Sequence, residues 1–288
     1  MKPAPFHYTR PASVTDAVAL LATHGAGARI LAGGQTLMPL MARRIERPAC
    51  IIDINRIAGL DGIELSSSHI RMGALVRQEQ ARRSDIARHH LPGLTEALAW
   101  VANPVVRQRG TVVGNLVTNS PGAELPAVAL ALRAEFVLRY PHGEDTVPAA
   151  ALLTHAGPAA AGALVTHVLW PRRVQAAGFF EVARRDGHAP VVSAMVSMGD
   201  GDCRVALSGV CATGLSCATT AHLIARDFPR VPSARELAAA LKHDLTGPLY
   251  GDADSPARYR QEVAPEIIRR ALQRLPPDAS IGAAPSTP

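Results

Sequence analysis

Residues 28 to 54 contain the pattern that most constrains the fold. The apolar segment ARILA runs directly into Gly33-Gly34, the helical pattern TLMPLMARR follows, and ACIIDI then has the composition of a buried strand. This order is typical of α/β structure: a strand, a glycine-opened bend, a helix and a second strand. Residues 13 to 24 precede this unit and predict an amphipathic helix, with Ser13 and Asp16 spaced for a capping box.

Further elements extend this region. Strands are predicted at residues 69 to 75, 135 to 140 and 163 to 170, and helical sequence is predicted through about residue 88 and at residues 91 to 102. The segment from residue 106 to 132 is rich in turn residues at first and then becomes helical. The alternation of strands and helices predicts that the α/β architecture continues to about residue 174.

The second half of the chain has a different pattern. A strand at residues 178 to 185 precedes two alternating segments around Gly199-Asp200-Gly201, which indicates a β-hairpin. Helices are predicted at residues 233 to 245 and at about 256 to 275, with a kink or break at Pro265. A boundary is therefore expected near residues 172 to 177, and the last dozen residues are expected to be disordered.

Composition excludes several classes of protein. The N-terminus lacks the apolar core of a signal peptide, and the longest apolar run, near residues 127 to 132, is far shorter than the roughly 18 residues of a membrane span. A cytoplasmic protein without a membrane span is expected. The four cysteines form no C-x-x-C pair, so we expect free thiols and no bound metal. The net charge of +6 comes from scattered arginine pairs, and only 4% of residues are aromatic, which argues against nucleic acid as a partner.

The common catalytic and nucleotide-binding motifs are absent. The sequence has no G-x-G-x-x-G at a strand-to-helix turn, no G-x-x-x-x-G-K-[ST], no H-E-x-x-H and no G-x-S-x-G. The tripeptide GGQ at residues 33 to 35 also occurs in peptide-chain release factors, but there it lies on an exposed basic loop, and here core-forming segments bracket it. No catalytic side chain and no metal ligand is predicted.

Two glycine-opened bends remain as candidate binding elements. The bend at Gly33-Gly34 presents consecutive backbone amides with no Cβ in the way, and Thr36 adds a hydroxyl. The second bend, GTVVGN at residues 110 to 115, offers Thr111 and the Asn115 amide. Two anion-binding bends suit a diphosphate held from both sides, and a nearby carboxylate suits sugar hydroxyls. Each bend taken alone is also compatible with an ordinary tight turn.

Taken together, these segments resemble a known family. The first, ILAGGQTLMPLMARRIERPACIIDINRI, resembles the signature A-G-G-[QH]-[ST]-L, and the second, VRQRGTVVGNLVTNSPGAELPAVALAL, resembles the signature R-G-T-[IV]-G-G-N-L. Both occur in the FAD-binding medium subunit of molybdenum-containing hydroxylases, the family of carbon monoxide dehydrogenase and of the flavin domain of xanthine dehydrogenase. The N-terminal sequence KPAPFHYTRPASVTDAVALLATHG and the C-terminal segments GFFEVARRDG and RYRQEVAPEIIRRAL are similar to further parts of this family, so the resemblance covers nearly the whole chain.

The resemblance implies an α+β fold and a domain division. It implies an N-terminal FAD-binding domain over residues 1 to 174, with two α/β subdomains at about 1 to 57 and 58 to 174. A C-terminal domain with an antiparallel sheet and helices would span residues 175 to 276, and residues 277 to 288 would form the disordered tail. FAD would lie between the subdomains and the C-terminal domain.

The resemblance also implies roles for individual residues. Residues 32 to 36 and 111 to 115 would hold the pyrophosphate, Thr118, Ser120 and Glu124 would meet the ribityl or adenosine portion, and Val101 and Leu164 would line the ring systems. The complete predicted set is Leu31, Ala32, Gly33, Gly34, Gln35, Thr36, Val101, Thr111, Val113, Gly114, Asn115, Thr118, Ser120, Glu124 and Leu164.

By the same resemblance, the chain is expected to be an electron-transfer subunit. Substrate would be oxidised at a molybdenum cofactor on a large partner chain, and electrons would reach FAD through [2Fe-2S] clusters on a small partner chain, in a dimer of heterotrimers. FAD would pass them to an external acceptor. Two alternatives stay open: a self-contained FAD-dependent oxidase or reductase, and a flavin-free scaffold subunit.

Two positions depart from the family pattern. Val113 stands where most relatives have the second glycine of T-I-G-G-N, and a positive φ at valine would cost about 1–3 kcal/mol. We therefore predict a negative φ at Val113 and a side chain directed away from the phosphates. At residues 188 to 190, where many relatives have an aromatic residue near the isoalloxazine, this chain has His-Ala-Pro.

Overall fold

The computed structural model describes residues 2–153, 162–172, 176–199 and 201–281. Its first unit is a small parallel sheet with strand order β1-β3-β2. Its elements are β1 (His7–Thr9), α1 (Val14–His24), β2 (Ala28–Leu31), α2 (Leu37–Ala42) and β3 (Cys50–Asp53). The predicted strand, bend, helix and strand are all present. Ser13 caps α1, because its Oγ accepts a hydrogen bond from the backbone N–H of Asp16 at 3.1 Å.

The second sheet has five antiparallel strands in the order β4-β5-β8-β6-β7. These strands are β4 (Ile63–Leu65), β5 (His69–Gly73), β6 (Glu135–Tyr140), β7 (Gly143–Pro148) and β8 (Leu164–Pro171). Most of its helices lie between β5 and β6: α3 (Gln78–Arg83), α4 (Asp85–His90), α5 (Pro92–Trp100), α6 (Pro104–Arg109), α7 (Val112–Thr118) and α8 (Leu125–Ala131). One more turn of helix, α9 (Ala149–Leu152), follows β7.

The helical segment predicted through residue 88 is interrupted. Ser84 has extended backbone angles and ends α3, and its Oγ accepts a hydrogen bond from the N–H of Ala87 at 3.4 Å, which starts α4. Serine competes for backbone hydrogen bonds in this way, so it favours a helix start over a helix interior.

The third sheet is antiparallel and has the order β12-β11-β10-β9. Its strands are β9 (Ala176–Ala183), β10 (Pro190–Gly199), β11 (Asp202–Ser208) and β12 (Leu215–Ser216), and the helices α10 (Ala218–Asp227), α11 (Ala234–Asp244) and α12 (Ala257–Leu272) follow. Gly199 pairs with Asp202 across the predicted hairpin, whose Asp200 lies outside the described residues. A kink or break was predicted at Pro265; helix α12 continues through this residue, so there is no break, and the kink stays a prediction. The buried face of α12, which includes Pro265 and Ile268, packs on the sheet and favours the helix at this position.

The third sheet is buried on both faces. Val192, Ala194 and Val196 pack in a second hydrophobic core with α10, α11 and α12. On the opposite face Met195 belongs to the first core, which it shares with the N-terminal elements, and the Ser197 Oγ donates a hydrogen bond to the carbonyl of Ala131 in α8 at 2.8 Å. The N-terminal and C-terminal regions therefore share a closely packed interface.

The predicted boundary at residues 174 and 175 lies within 173–175, outside the described residues. In the predicted tail, Ile281 accepts a backbone hydrogen bond from Gly201 at 2.8 Å, and residues 282–288 lie outside the described residues. No helix in the described part of the chain is long and apolar enough to cross a membrane. All four cysteines are free.

Candidate functional site

A cavity of about 880 Å³ lies where the first unit meets the helices that follow β5. Fourteen of the fifteen residues predicted for the cofactor site line it: Ala32, Gly33, Gly34, Gln35, Thr36, Val101, Thr111, Val113, Gly114, Asn115, Thr118, Ser120, Glu124 and Leu164. Leu31 does not line the cavity. It lies behind the first bend, where its carbonyl accepts a hydrogen bond from the N–H of Ile54 at 3.1 Å. A contact between Leu31 and a ligand stays a prediction.

The two bends, 78 residues apart in sequence, touch each other. A Cβ built on Gly33 would lie 2.5 Å from the carbonyl oxygen of Arg109, 2.9 Å from the Cα of Gly110 and 3.0 Å from the backbone nitrogen of Thr111. Glycine is required at Gly33 because backbone atoms occupy the space of a side chain. Gly34 has φ +72°, a conformation that glycine adopts without strain. The bends therefore form one continuous wall of the cavity.

The first bend supplies unpaired backbone amides. Among the described residues, none accepts a hydrogen bond from the N–H groups of residues 33 to 36. Helix α2 begins directly after them, so the positive end of its dipole lies at the same place. This group of N–H donors can hold anionic oxygens without any lysine.

The second bend differs from its predicted form, because it is the N-terminus of α7. Thr111 is the N-cap, and its Oγ1 accepts a hydrogen bond from the N–H of Gly114 at 3.0 Å. The Gly114 amide is therefore already used within the protein. Val113 lies in the first turn of α7, is not among the described residues with positive φ, and packs its side chain in the first core. The predicted negative φ at Val113 is confirmed.

Two buried polar atoms on the cavity wall have no partner among the described residues. These atoms are the Asn115 Oδ1 and the Gln78 Oε1. Both are acceptors, and an unpaired acceptor in this position costs about 1–3 kcal/mol unless a ligand or water satisfies it. Gln78 was not predicted as a site residue. The sequence gives no signal for it, because nothing in the helical pattern of residues 78 to 83 marks its burial.

One buried carboxyl group, that of Glu124, lines the cavity, and a second, that of Glu181, is not part of the lining. Burial raises the pKa of Glu124 to about 7, so this side chain is partly protonated near neutral pH. Burial, together with the nearby Glu124, raises the pKa of Glu181 on β9 to about 9. Ala189 also lines the cavity.

An internal ion cluster fixes the connection between α5 and α6. The Arg107 guanidinium donates to the carbonyls of Val101 at 2.7 Å and Ala102 at 3.0 Å, both of which line the cavity. Its Nε donates to Glu79 at 3.1 Å. Hydrogen bonds from Arg82, and then from Arg83 and Arg107, hold the pKa of Glu79 far below its usual range despite its burial. This cluster positions the cavity wall, and nothing in the sequence pattern predicted it.

The cavity fits a dinucleotide such as FAD. Its volume lies within the range of about 300–1,000 Å³ that is usual for cofactor sites. The free amides of residues 33 to 36 match phosphate oxygens, the unpaired acceptors of Asn115 and Gln78 match hydroxyl or amide hydrogens, and the apolar side chains of Val101 and Leu164 match aromatic rings. No group of His, Cys, Asp and Glu suited to a metal ion occurs in the described part of the chain.

Comparison with known proteins identifies the family. Residues 4–173 match the family model of the FAD binding domain in molybdopterin dehydrogenase. The chain is 33% identical to the 6-hydroxypseudooxynicotine dehydrogenase complex subunit alpha of Paenarthrobacter nicotinovorans, over 96% of this chain and 98% of the relative. It is 34% identical to the carbon monoxide dehydrogenase medium chain of Hydrogenophaga pseudoflava, over 94% and 97%.

Solved structures agree with this assignment. The fold is similar to a chain of carbon monoxide dehydrogenase from Hydrogenophaga pseudoflava, with a TM-score of 0.85 and 30% identity over 95% of this chain and 98% of that one. It is also similar to a chain of quinoline 2-oxidoreductase from Pseudomonas putida 86, with a TM-score of 0.84 and 28% identity over 95% and 97%. These structures have the same α+β architecture. The chain therefore belongs to the family of FAD-binding medium subunits of molybdenum hydroxylases, a family of oxidoreductases, and its cofactor is FAD.

Proposed function

We propose that this chain transfers electrons through FAD, from iron–sulfur clusters of a partner chain to an external acceptor. The observation that carries the proposal is the cavity of this family member. There the bend at Gly33-Gly34 and the bend at residues 110 to 115, which are far apart in sequence, meet beside unpaired backbone amides. FAD supplies the redox chemistry, because it takes up two electrons and releases them singly or in pairs. The chain's own part is to bind and orient the cofactor, which requires no acid–base pair.

Different residues of the cavity would bind different parts of FAD. The amides of residues 33 to 36 and the N-terminus of α7 would hold the pyrophosphate. Thr118, Ser120 and Glu124 would meet the ribityl or adenosine portion, and Val101 and Leu164 would pack against the ring systems. Near neutral pH the partly protonated Glu124 can both donate a hydrogen bond to a hydroxyl group and accept one from it.

The names of the relatives support an assembly with partner chains. One relative is a subunit of a dehydrogenase complex, two are medium chains of carbon monoxide dehydrogenase, and one is the nicotine 6-hydroxylase medium subunit. We propose a large molybdenum-cofactor subunit and a small [2Fe-2S] subunit as partners, in a dimer of heterotrimers located in the cytoplasm. The domain division at about residue 174, with subdomains meeting near residue 57, belongs to the same proposal.

The route of the electrons can be tested with the co-expressed partner chains. The small chain, reduced with dithionite and then desalted, is mixed anaerobically with the FAD-loaded chain, and the visible absorbance of the flavin is followed. We expect rapid bleaching that does not occur when the small chain is left out. Bleaching by an organic donor with the isolated FAD-loaded chain, at a rate that supports turnover, would instead favour a self-contained oxidase or reductase.

A substitution at Asn115 tests whether the unpaired acceptor faces the cofactor. Asn115→Leu removes the amide and keeps a similar volume, so FAD affinity is expected to fall about tenfold, the value of one hydrogen bond. Titration of the apoprotein with FAD, followed by flavin fluorescence, measures the change. Asn119→Leu is a weaker match for a control because Asn119 caps α7 with φ 44°. Val105→Leu, at an exposed position of α6 outside the cavity wall, is the better control, and it should leave the affinity within about twofold of that of the unaltered chain.

A further inference from the structure

Two polar side chains outside the cavity connect the two bends. Asn55, just after β3, donates from its Nδ2 to the carbonyl of Ala32 at 2.9 Å and to the carbonyl of Leu31 at 3.3 Å. These two carbonyls immediately precede Gly33. The side chain of Asn55 therefore fixes the point at which β2 turns into the first bend.

Arg77 makes the matching contacts with the second bend. One guanidinium nitrogen donates to the Arg109 carbonyl at 2.8 Å, and the other donates to the Oδ1 of Asn55 at 2.7 Å. The next residue, Gln78, donates from its backbone N–H to the carbonyl of Gly110 at 2.8 Å. Two consecutive carbonyls at the start of each bend are thus held, and the Arg77–Asn55 hydrogen bond joins the two pairs.

The Arg109 carbonyl is the contact point between the bends. It is the atom closest to the position of a Cβ on Gly33, at 2.5 Å. Arg77 therefore holds the same oxygen against which the first bend packs. A shift of this carbonyl would change the distance between the two bends and so the width of the wall that faces the cofactor.

A charged network orients Asn55 from behind. Asp53 is buried, and its Oδ1 accepts hydrogen bonds from the Asn55 backbone N–H at 2.9 Å and from the Asn55 Nδ2 at 2.7 Å. Its Oδ2 accepts a hydrogen bond from the Tyr8 hydroxyl and lies 3.6 Å from the Arg10 Nε. Although burial opposes it, hydrogen bonds from Tyr8 and Asn55 hold the pKa of Asp53 below its ordinary value, so the carboxylate stays ionised.

We propose that Asn55 and Arg77 form a clamp that positions both FAD-binding bends without touching FAD. Neither residue lines the cavity, and both are half-buried. Arginine suits this role because its planar guanidinium can satisfy two acceptors in different directions at once. The inference rests on the proposed placement of the FAD pyrophosphate at the two bends, and it concerns cofactor affinity rather than the route of the electrons.

The experiment measures FAD affinity of the apo chain for Arg77→Met, Asn55→Leu and the double variant. We expect each single variant to bind FAD about tenfold more weakly, because the loss of one clamp contact removes about one charge-assisted hydrogen bond of preorganisation. The double variant should be no weaker than about the worse single variant, since the two residues act as one unit. Arg43→Met is the matched control, because Arg43 is exposed and, among the described residues, its side chain hydrogen-bonds only to the carbonyl of Pro39 in the helix that Arg43 caps. The FAD affinity of this variant should be unchanged.

Two further measurements distinguish an effect on the position of the bends from an effect on the stability of the fold. The affinities are measured at a temperature at which thermal unfolding shows every apo variant to be folded, and the visible circular dichroism of bound FAD reports its fixed geometry. Arg77→Lys should recover only part of the affinity, because one ammonium cannot reach both acceptors in the same geometry. If Arg77→Met fails to fold, the FAD affinity of Arg77→Lys tests the proposal in its place.

Affinities of the single variants equal to that of Arg43→Met would overturn the proposal, as would losses that add in the double variant. A full recovery by Arg77→Lys would also contradict it. Failure of the electron-transfer proposal would leave these outcomes unaffected, because FAD binding is measured without any partner chain or turnover.

Discussion

Replacing Gly33 by valine is expected to abolish FAD binding, with a loss of at least about 100-fold in affinity, which corresponds to roughly 3 kcal/mol. The first atom of any side chain at Gly33 would lie 2.5 Å from the Arg109 carbonyl and 2.9 Å from the Gly110 Cα. These are backbone atoms that cannot rotate away, so the two bends have to separate. The amides of residues 33 to 36 would then no longer face the same point as the N-terminus of α7.

The effect should be local, so the variant is expected to remain folded. Isothermal titration of the apo chain with FAD measures the affinity, and far-ultraviolet circular dichroism checks the fold. Gly27→Ala is a suitable control. Gly27 immediately precedes β2, the strand that leads to Gly33, and a Cβ on Gly27 would lie at an ordinary contact distance of 3.5 Å from the Ala49 Cβ. Gly33→Ala should already show most of the loss. Retention of FAD by Gly33→Val at the affinity of Gly27→Ala would show that the bends do not hold the cofactor.

The first bend could be predicted from sequence because its determinants are local. A short apolar strand, two glycines and a helix fix the backbone path of residues 28 to 42, and the structure follows it. The strand predicted at residues 135 to 140 is also observed with the same limits, as β6. Alternating or continuous apolar residues between turn signals are sufficient for such elements.

The second bend was predicted less well because its geometry depends on long-range contacts. The glycines of residues 110 to 115 suggested a tight turn, but Thr111 caps a helix and uses the Gly114 amide itself. The N–H of Val112, the first residue of that helix, is bonded to the carbonyl of Val76, which comes from a different part of the chain. No local pattern specifies such a partner.

The roles of the clamp residues and of Gln78 also depend on long-range contacts, so the sequence did not predict them. Asn55 and Arg77 are ordinary polar residues in sequence, and their roles arise only because β3 and the segment before α3 come together behind the bends. By contrast, the contact between the two bends was predicted correctly from chemistry. The hypothesis that one diphosphate is held by both bends required them to meet, whatever path the chain follows between them.

A row of buried polar groups crosses the third sheet. Glu181 on β9 pairs with Ser193 on β10, and Ser193 pairs with Ser208 on β11. All three are buried, and the Glu181 Oε2 and both serine Oγ atoms have no partner among the described residues. They lie on the face of the sheet that carries Met195 and so point toward the N-terminal region. A carboxyl group in this row is costly to ionise.

Glu181→Gln is expected to stabilise the protein at alkaline pH and to flatten the dependence of its stability on pH. The ordinary pKa of 4.5 applies to the unfolded chain, and the folded pKa is about 9. Between these values the native state holds a proton that the unfolded state has released, so the free energy of unfolding falls as the pH rises from about 5 to 9 and is constant above that. Glutamine carries no charge at any pH, so the gain should grow across this window to on the order of 3 kcal/mol at pH 8.

Urea denaturation of the apo chain at pH 6, 7, 8 and 9 measures this gain, with equal slopes in urea required for the comparison. Glu144→Gln, on the exposed face of β7, removes the same charge without burial, and its stability profile should follow that of the unaltered chain. The remaining pH dependence of Glu181→Gln should come partly from Glu124, whose pKa is raised to about 7 by the same burial. If Glu181→Gln and the unaltered chain lost stability equally between pH 6 and pH 9, Glu181 would have to be ionised in the folded protein, with a partner or solvent access that its buried position denies it.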